Sequence, residues 1–423
     1  VARLDTVQGD IASLASRIAA IRTWAYVANR PTWLSDPAHW AQRTTEVETR
    51  LSDALHDRLK QRFVDRHAVR LLRSIGHDPK AARLEIDSDG AVTVLDEAVG
   101  RLQGFRFTAD PGARSGERRK FLVAAEARLP AEFARRARDL AAAEHRALTL
   151  ASEPGQPTAI RWQGGAIATL GRGRSLIEPG ITLDPAVVRL EPVLRDAVRA
   201  RLTDWLTREI GQRLGALVRI SAAGFAPGSA PPLRAFLAPL AEDAGVSGRA
   251  GMEEVLQALD AQARQQVRSL GISVGTLAIF HPAMLKPQAI TWRLALLAAR
   301  RGTVMPHVPM AGLGLLDQPG VALAAAASDA GYARFGNQLI RIDLVERLAR
   351  QLHDQRRGHH PFLPDAELAT SLGIGTSTLA RLLRVLGFVP VGQAGPLQWR
   401  WRGVGRGSVA RPGVQGKADR KRA

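Results

Sequence analysis

Cysteine is absent from this chain, and three other residue types are scarce: 2 tyrosines, 4 methionines and 6 lysines stand beside 53 arginines in 423 residues. With no cysteine there can be no disulfide, thiolate zinc site or cysteine nucleophile, and a reducing compartment, the cytoplasm, is the expected location. No apolar run approaches the ~18 to 20 residues needed to span a bilayer, and the N-terminus lacks the basic, apolar and small-residue order of a secretory signal, so no membrane association is expected. Methionine is also missing from position 1, where Val1 leads straight into a helical pattern, so the chain reads as a piece cut from a longer polypeptide. A phosphate-binding GxxxxGK[ST] loop is missing throughout; the glycine pairs at Gly171/Gly173 and Gly373/Gly375 lack the lysine.

What is present is positive charge. The 59 basic and 40 acidic residues leave a net +19, and such an excess favours a polyanion, RNA or DNA. Arginine bias of this kind also follows from GC-rich coding, so charge supports a nucleic-acid partner without establishing one. The length predicts two to four domains with cores that need no metal or disulfide.

The patterning predicts an α+β chain, mainly α with small β modules. Residues 1–78 are expected to form a helical hairpin: apolar residues recur at Ile11, Leu14, Ala15, Ile18, Ile21, Trp24 and Ala25, and a second helix runs over 37–72 behind the cap Asp36. Two copies of a β-meander plus helix follow, over 79–152 and 153–225. The first copy reads LEIDSDGAVTVLDEAVGRLQGFRFTADP from Leu84, the second AIRWQGGAIATLGRGRSLIEPGITLDP from Ala159, each with three strands around glycine-containing turns and an Asp-Pro end. Basic amphipathic helices are expected after them, over 121–144 and 187–217. A linker or exposed loop rich in Gly, Pro and Ala is expected at 225–232, then a mostly helical region to 339 with one candidate strand over 272–280. The basic tail, 403–423, is expected to be disordered.

Residues 340–402 carry the most specific pattern, a winged helix-turn-helix. In PDAELATSLGIGTSTLARLLRVLGF, apolar residues at Leu368, Leu372, Ile374, Leu379 and Leu382 suit two helices meeting over a shared core, Ala369 is small at their crossing, and Gly373 sits at the turn. A preceding helix over 340–357 offers Ile342, Leu344, Val345, Leu348 and Leu352 to the same core, and VPVGQAGPLQWRWR reads as strand, turn, strand, the wing. The candidate nucleic-acid contacts are Thr376, Ser377, Thr378, Arg381 and Arg384, expected to point away from the core, with Arg400 and Arg402 on the wing. Those two arginines alternate with Trp399 and Trp401, so one pair is expected to face the core and the other the ligand, the tryptophans as core. From residue 341 onward 15 basic residues meet six acidic ones.

Catalytic readings fail. Asp96-Glu97-Ala98 resembles the start of a DEAD-type ATPase signature but lies inside a meander with no phosphate loop, and reads as a turn. His353, His359 and His360, with Asp354 or Asp365, match no zinc spacing and read as exposed loop histidines. No catalytic residue, metal site or cofactor is expected in this chain.

Several stretches resemble the C-terminal region of large bacterial ATP-dependent helicases, of the DExH type related to the RNA helicase of the mitochondrial degradosome. They are IRTWAYVANRPTWLSDPAHW from Ile21, RLSDALHDRLKQRFVDR from Arg50, VGRLQGFRF from Val99 and MLKP from Met284. The resemblance implies motor domains upstream of Val1 that would hold ATP and Mg, with this piece gripping the strand. Two other readings stay open: a stand-alone DNA-binding regulator, and a docking scaffold for other RNA-processing proteins.

Overall fold

The structure, a computed structural model, describes residues 4–30, 33–34, 36–77, 83–94, 96–114, 118–356, 358–392 and 397–403; residues 61–77, 366 and 368 are described by backbone alone. The tail expected to be disordered lies outside the described residues beyond Gly403, and so does the turn of the expected wing, 393–396. Helices and small antiparallel sheets are mixed along the chain, an α+β architecture. Among the described residues no helix is long and apolar enough to cross a membrane.

The chain divides into two compact units, Val1–Leu102 with Phe107–Ala131 and Gln103–Arg106 with Glu132–Ala423. In the first, Asp10 caps helix α1 (Ile11–Ala28) by accepting from the Ser13 N–H at 2.8 Å, and Asp36 accepts from His39 N–H at the start of α2 (Pro37–His77). Leu14, Ile18 and Ile21 of α1 bury against Val47 and Leu51 of α2. Trp24 shares their helical spacing but is 49 % exposed, because the apolar stripe of α1 closes on Ala28 instead.

Strands β1 (Leu84–Ile86), β2 (Ala91–Val94), β3 (Glu97–Gln103) and β4 (Arg106–Ala109) form a sequential antiparallel sheet, and helix α3 (Arg118–Ala142) follows. In the second unit β5 (Leu148–Ala151), β6 (Ala159–Trp162), β7 (Gly165–Ser175) and β8 (Glu178–Leu183) repeat that order. The two meanders agree bond by bond. A bulge breaks the register after Val92 in one and after Ile160 in the other. Asp110 N–H donates to Val99 O at 3.0 Å as Asp184 N–H donates to Ile167 O at 2.9 Å, and Leu102 N–H reaches Gly90 O as Leu170 N–H reaches Thr158 O. Each copy has four strands rather than three; their Asp-Pro ends correspond as expected, but their starts do not, because Ala159 answers to Ala91 and not to Leu84. Few identities survive, so the turns alone could not set those starts; the strand registers do.

The expected long helix over 187–217 is three helices, α4 (Pro185–Val188), α5 (Pro192–Arg213) and α6 (Gly215–Phe225): Pro192 opens α5 at its first position, and the backbone leaves the helical region again at Leu214, between α5 and α6. Residues 226–230 form the exposed loop expected there, a short one between two helices. Helix α7 (Pro231–Glu242) packs on α6, and a Cβ at Gly224 would lie 3.2 Å from that of Leu237. The region expected to be mostly helical also holds two three-stranded sheets. One has the order β10 (Ser273–Val274), β11 (Ala278–Phe280), β9 (Val246–Gly248); the other has β12 (Leu315–Asp317), β14 (Gln338–Arg341), β13 (Tyr332–Phe335). Strands of two to four residues are too short to show alternation in sequence. Helices α8 (Glu253–Ala258), α9 (Ala261–Ser269), α10 (Pro287–Arg301), α11 (Val321–Ala325) and α12 (Ala327–Ala330) complete it. At its centre Arg293 is fully buried and donates to the carbonyls of Ala244, Met284 and Asp329 at 2.7, 3.0 and 3.0 Å.

Candidate nucleic-acid interface

Three helices and a hairpin occupy the C-terminal residues: α13 (Ile342–Gln355), α14 (Ala366–Thr370), α15 (Thr376–Val385), β15 (Phe388–Val391) and β16 (Gln398–Trp401). Val345, Leu348, Ala349 and Leu352 of α13 are buried with Ala369, Ile374, Leu382, Leu383, Leu386, Phe388 and Trp399. Ile342, Leu344, Leu372 and Leu379, also expected in this core, are only half-buried, while the side chain of Leu368 lies outside the described residues. Asp365 accepts from Glu367 N–H at 2.9 Å and starts α14; Gly373 turns the chain toward α15 with φ +68°, where a Cβ would be strained.

This core rests on the preceding hairpin through side chains invisible to local patterning. Gln338 of β14 donates to Gly373 O at 3.2 Å and accepts from Gly375 N–H at 3.1 Å, holding both sides of the turn between α14 and α15. Glu346 of α13 is buried, and its carboxylate accepts from the N–H groups of Thr276, Leu277 and Ala278 at 2.6, 2.7 and 2.9 Å. A carboxylate held by three backbone donors fixes α13 to the loop before β11.

The expected contact residues are brought to neighbouring elements but are not all outward. Thr376, Ser377, Arg381 and Arg384 are exposed on α15. Thr378 is not: it is 4 % exposed, and its hydroxyl donates to Phe335 O at 3.4 Å. The expectation that it points away from the core fails because the β13–β14 hairpin covers that side of the first turn. On β16 Trp399 is buried, Arg400 and Trp401 are half-buried, and Arg402, just beyond the strand, is exposed. The Arg384 guanidinium lies 5.7 Å from the Trp399 ring centroid.

Among the described residues no carboxylate lies within 4.0 Å of Arg381, Arg384, Arg400 or Arg402, a condition they share with other exposed arginines such as Arg119, Arg172, Arg264 and Arg268, while Arg22, Arg43, Arg135, Arg213 and Arg301 are each held in such a pair. Unneutralised guanidinium groups retain their full attraction for phosphate.

One of the three histidines corrects another expectation, while His359 and His360 are exposed outside any helix or strand, as expected. His353 is half-buried on α13, its ring 5.2 Å from Phe388 and 6.2 Å from Trp401, and His359 stacks on Trp401 at 5.6 Å. Arg356 lies over the same indole at 4.1 Å. Burial first, and the Arg356 charge second, hold the His353 pKa below its ordinary value. Among the described residues no group of three or more histidine, aspartate or glutamate side chains is placed to hold a metal ion. Asp96 lies in the turn between β2 and β3 with φ +68°, and Glu97 pairs with Arg118 at 3.2 Å. Both belong to the meander.

No family model, curated protein or solved structure matches the chain.

Proposed function

We propose that this chain is a nucleic-acid-binding accessory region whose C-terminal residues act as a winged helix-turn-helix, with α15 as the helix that meets the ligand and β15–β16 as the wing. The observation that supports it is the row of exposed or half-exposed arginines without carboxylate partners, Arg381, Arg384, Arg400 and Arg402, on two elements that share one core. Phosphate contacts by these groups would position a strand without reading its sequence. The helicase-like segments extend the proposal: upstream motor domains would supply ATP and Mg and drive the strand this region grips, in the cytoplasm.

The test is the salt dependence of binding. Each phosphate contact contributes about 0.7 to 0.9 to the slope of log affinity against log salt, so replacing all four arginines by alanine should flatten that slope by roughly three units. An unchanged slope in a folded variant, on single-stranded and duplex DNA and RNA, would remove the proposal.

Docking to other RNA-processing proteins would then move ahead, and it has an observation of its own. Trp24, Tyr26 and Trp33 stand 49 %, 58 % and 61 % exposed around the end of α1, as aromatic side chains do at protein contacts.

A further inference from the structure

We infer that the turn of the β13–β14 hairpin is part of the same binding surface, and that Arg334 is a phosphate-contacting residue alongside Arg381. The inference rests on the proposed nucleic-acid role of α15 and extends it to an element that lies well upstream of the helix-turn-helix pattern in the chain.

Arg334 is exposed on β13, and its Nε donates to Gly336 O at 3.1 Å, which aims the guanidinium along the turn. On the other side of that glycine lies Arg381: a Cβ built at Gly336 would meet the Arg381 Nε at 3.2 Å and its Cζ at 3.4 Å. Gly336, with φ +66°, therefore lets two guanidinium groups from separate elements come to one point of backbone. Two like charges brought together cost free energy unless an anion lies between or beside them. Among the described residues Arg334, like Arg381, has no carboxylate within 4.0 Å. The two elements that carry them are also fixed to each other, since Gln338 clamps the turn before α15 and Thr378 bonds to Phe335 O from the first turn of that helix. A preorganised pair of unpaired guanidiniums at a surface fits a phosphodiester, whose oxygens accept from both.

The alternative role for Arg334 is to brace the hairpin through Gly336 O. Two substitutions separate the roles. Arg334→Gln removes the charge but keeps a donor near Gly336 O; Arg334→Lys keeps the charge but not the fork. Full-length chain would be titrated with fluorescein-labelled single-stranded and duplex oligonucleotides of RNA and DNA over a salt series, with thermal unfolding followed in parallel. Phosphate contact predicts that Arg334→Gln lowers the salt slope by about 0.7 to 0.9, while Arg334→Lys leaves it close to that of the unsubstituted chain. If Arg334→Gln keeps the full slope while Arg381→Gln lowers it, the inference is overturned and the role of α15 stands. If neither changes the slope, both fall together. A slope lost equally in Arg334→Lys, which keeps the charge, and in Arg334→Gln shows that the charge at this position does not set the slope and overturns the inference too.

Discussion

Replacing Glu346 by alanine should unseat α13 from the loop that precedes β11. The carboxylate accepts three N–H groups, from Thr276, Leu277 and Ala278, at 2.6 to 2.9 Å, and the residue is 7 % exposed. A hydrogen bond to a charged group contributes about 1.5 to 3 kcal/mol, and stripping the partner from a buried polar cluster costs about 3 to 5 kcal/mol in all. Glu346→Ala is therefore expected to destabilise the second unit by about 3 to 5 kcal/mol, and Glu346→Gln, which keeps one carbonyl acceptor, by about 1 to 3 kcal/mol. Gly275 offers an independent handle, because a Cβ there would overlap the Glu346 carboxylate. Gly275→Ala should thus be destabilising while Glu346 is present and nearly harmless once Glu346→Ala has removed the carboxylate. The assay is equilibrium urea unfolding of the four members of this double-mutant cycle, joined to amide hydrogen exchange at positions 276–278. Additive effects within about 0.5 kcal/mol, with exchange protection unchanged in Glu346→Ala, would refute the latch.

Arg293→Met should cost about 3 to 5 kcal/mol in denaturant midpoint analysis, since three buried carbonyls lose their donor, although burial already holds the guanidinium pKa down to about 10. Gln338→Leu, close in volume, should cost about 1 to 3 kcal/mol and weaken oligonucleotide binding in anisotropy titrations, because Gly373 O and Gly375 N–H lose their partner. The His353 pKa is lowered in the folded state, so the unfolded chain binds more protons below its ordinary value of 6.5 and stability falls as pH drops through that window. His353→Phe should flatten this part of the stability curve while keeping the ring contacts to Phe388 and Trp401; urea midpoints on either side of pH 6.5 check it.

The turn at Gly373, the small Ala369 and the alternation of Trp399 with Arg400 were legible because each is set by neighbours within a few residues: a positive φ, a helix crossing, a strand pleat. The same local logic placed the Asp-Pro ends of the meanders but not their starts, for those depend on which strands exchange hydrogen bonds. Long-range anchors left no trace. Glu346 finds its donors 68 to 70 residues away, and as one acid on an amphipathic helix it reads as part of the solvated face. Thr378 reads as outward by helical spacing and is buried only because a hairpin more than 40 residues earlier lies over it. Arg334 was missed for the same reason: β13 has four residues, and nothing in YARF points toward α15.

Whether nucleic acid is gripped by the arginines of α15 and of the β15–β16 hairpin, as proposed, is tested most directly by ultraviolet cross-linking with peptide mapping. The full chain would be bound to uniformly labelled single-stranded and duplex oligonucleotides at low salt, irradiated and digested. Cross-linked peptides should contain Arg381 and Arg384 or the Trp399–Arg402 strand, and should diminish when those arginines are replaced. Cross-links confined to residues of the first unit, or a map unchanged by the substitutions, would contradict it.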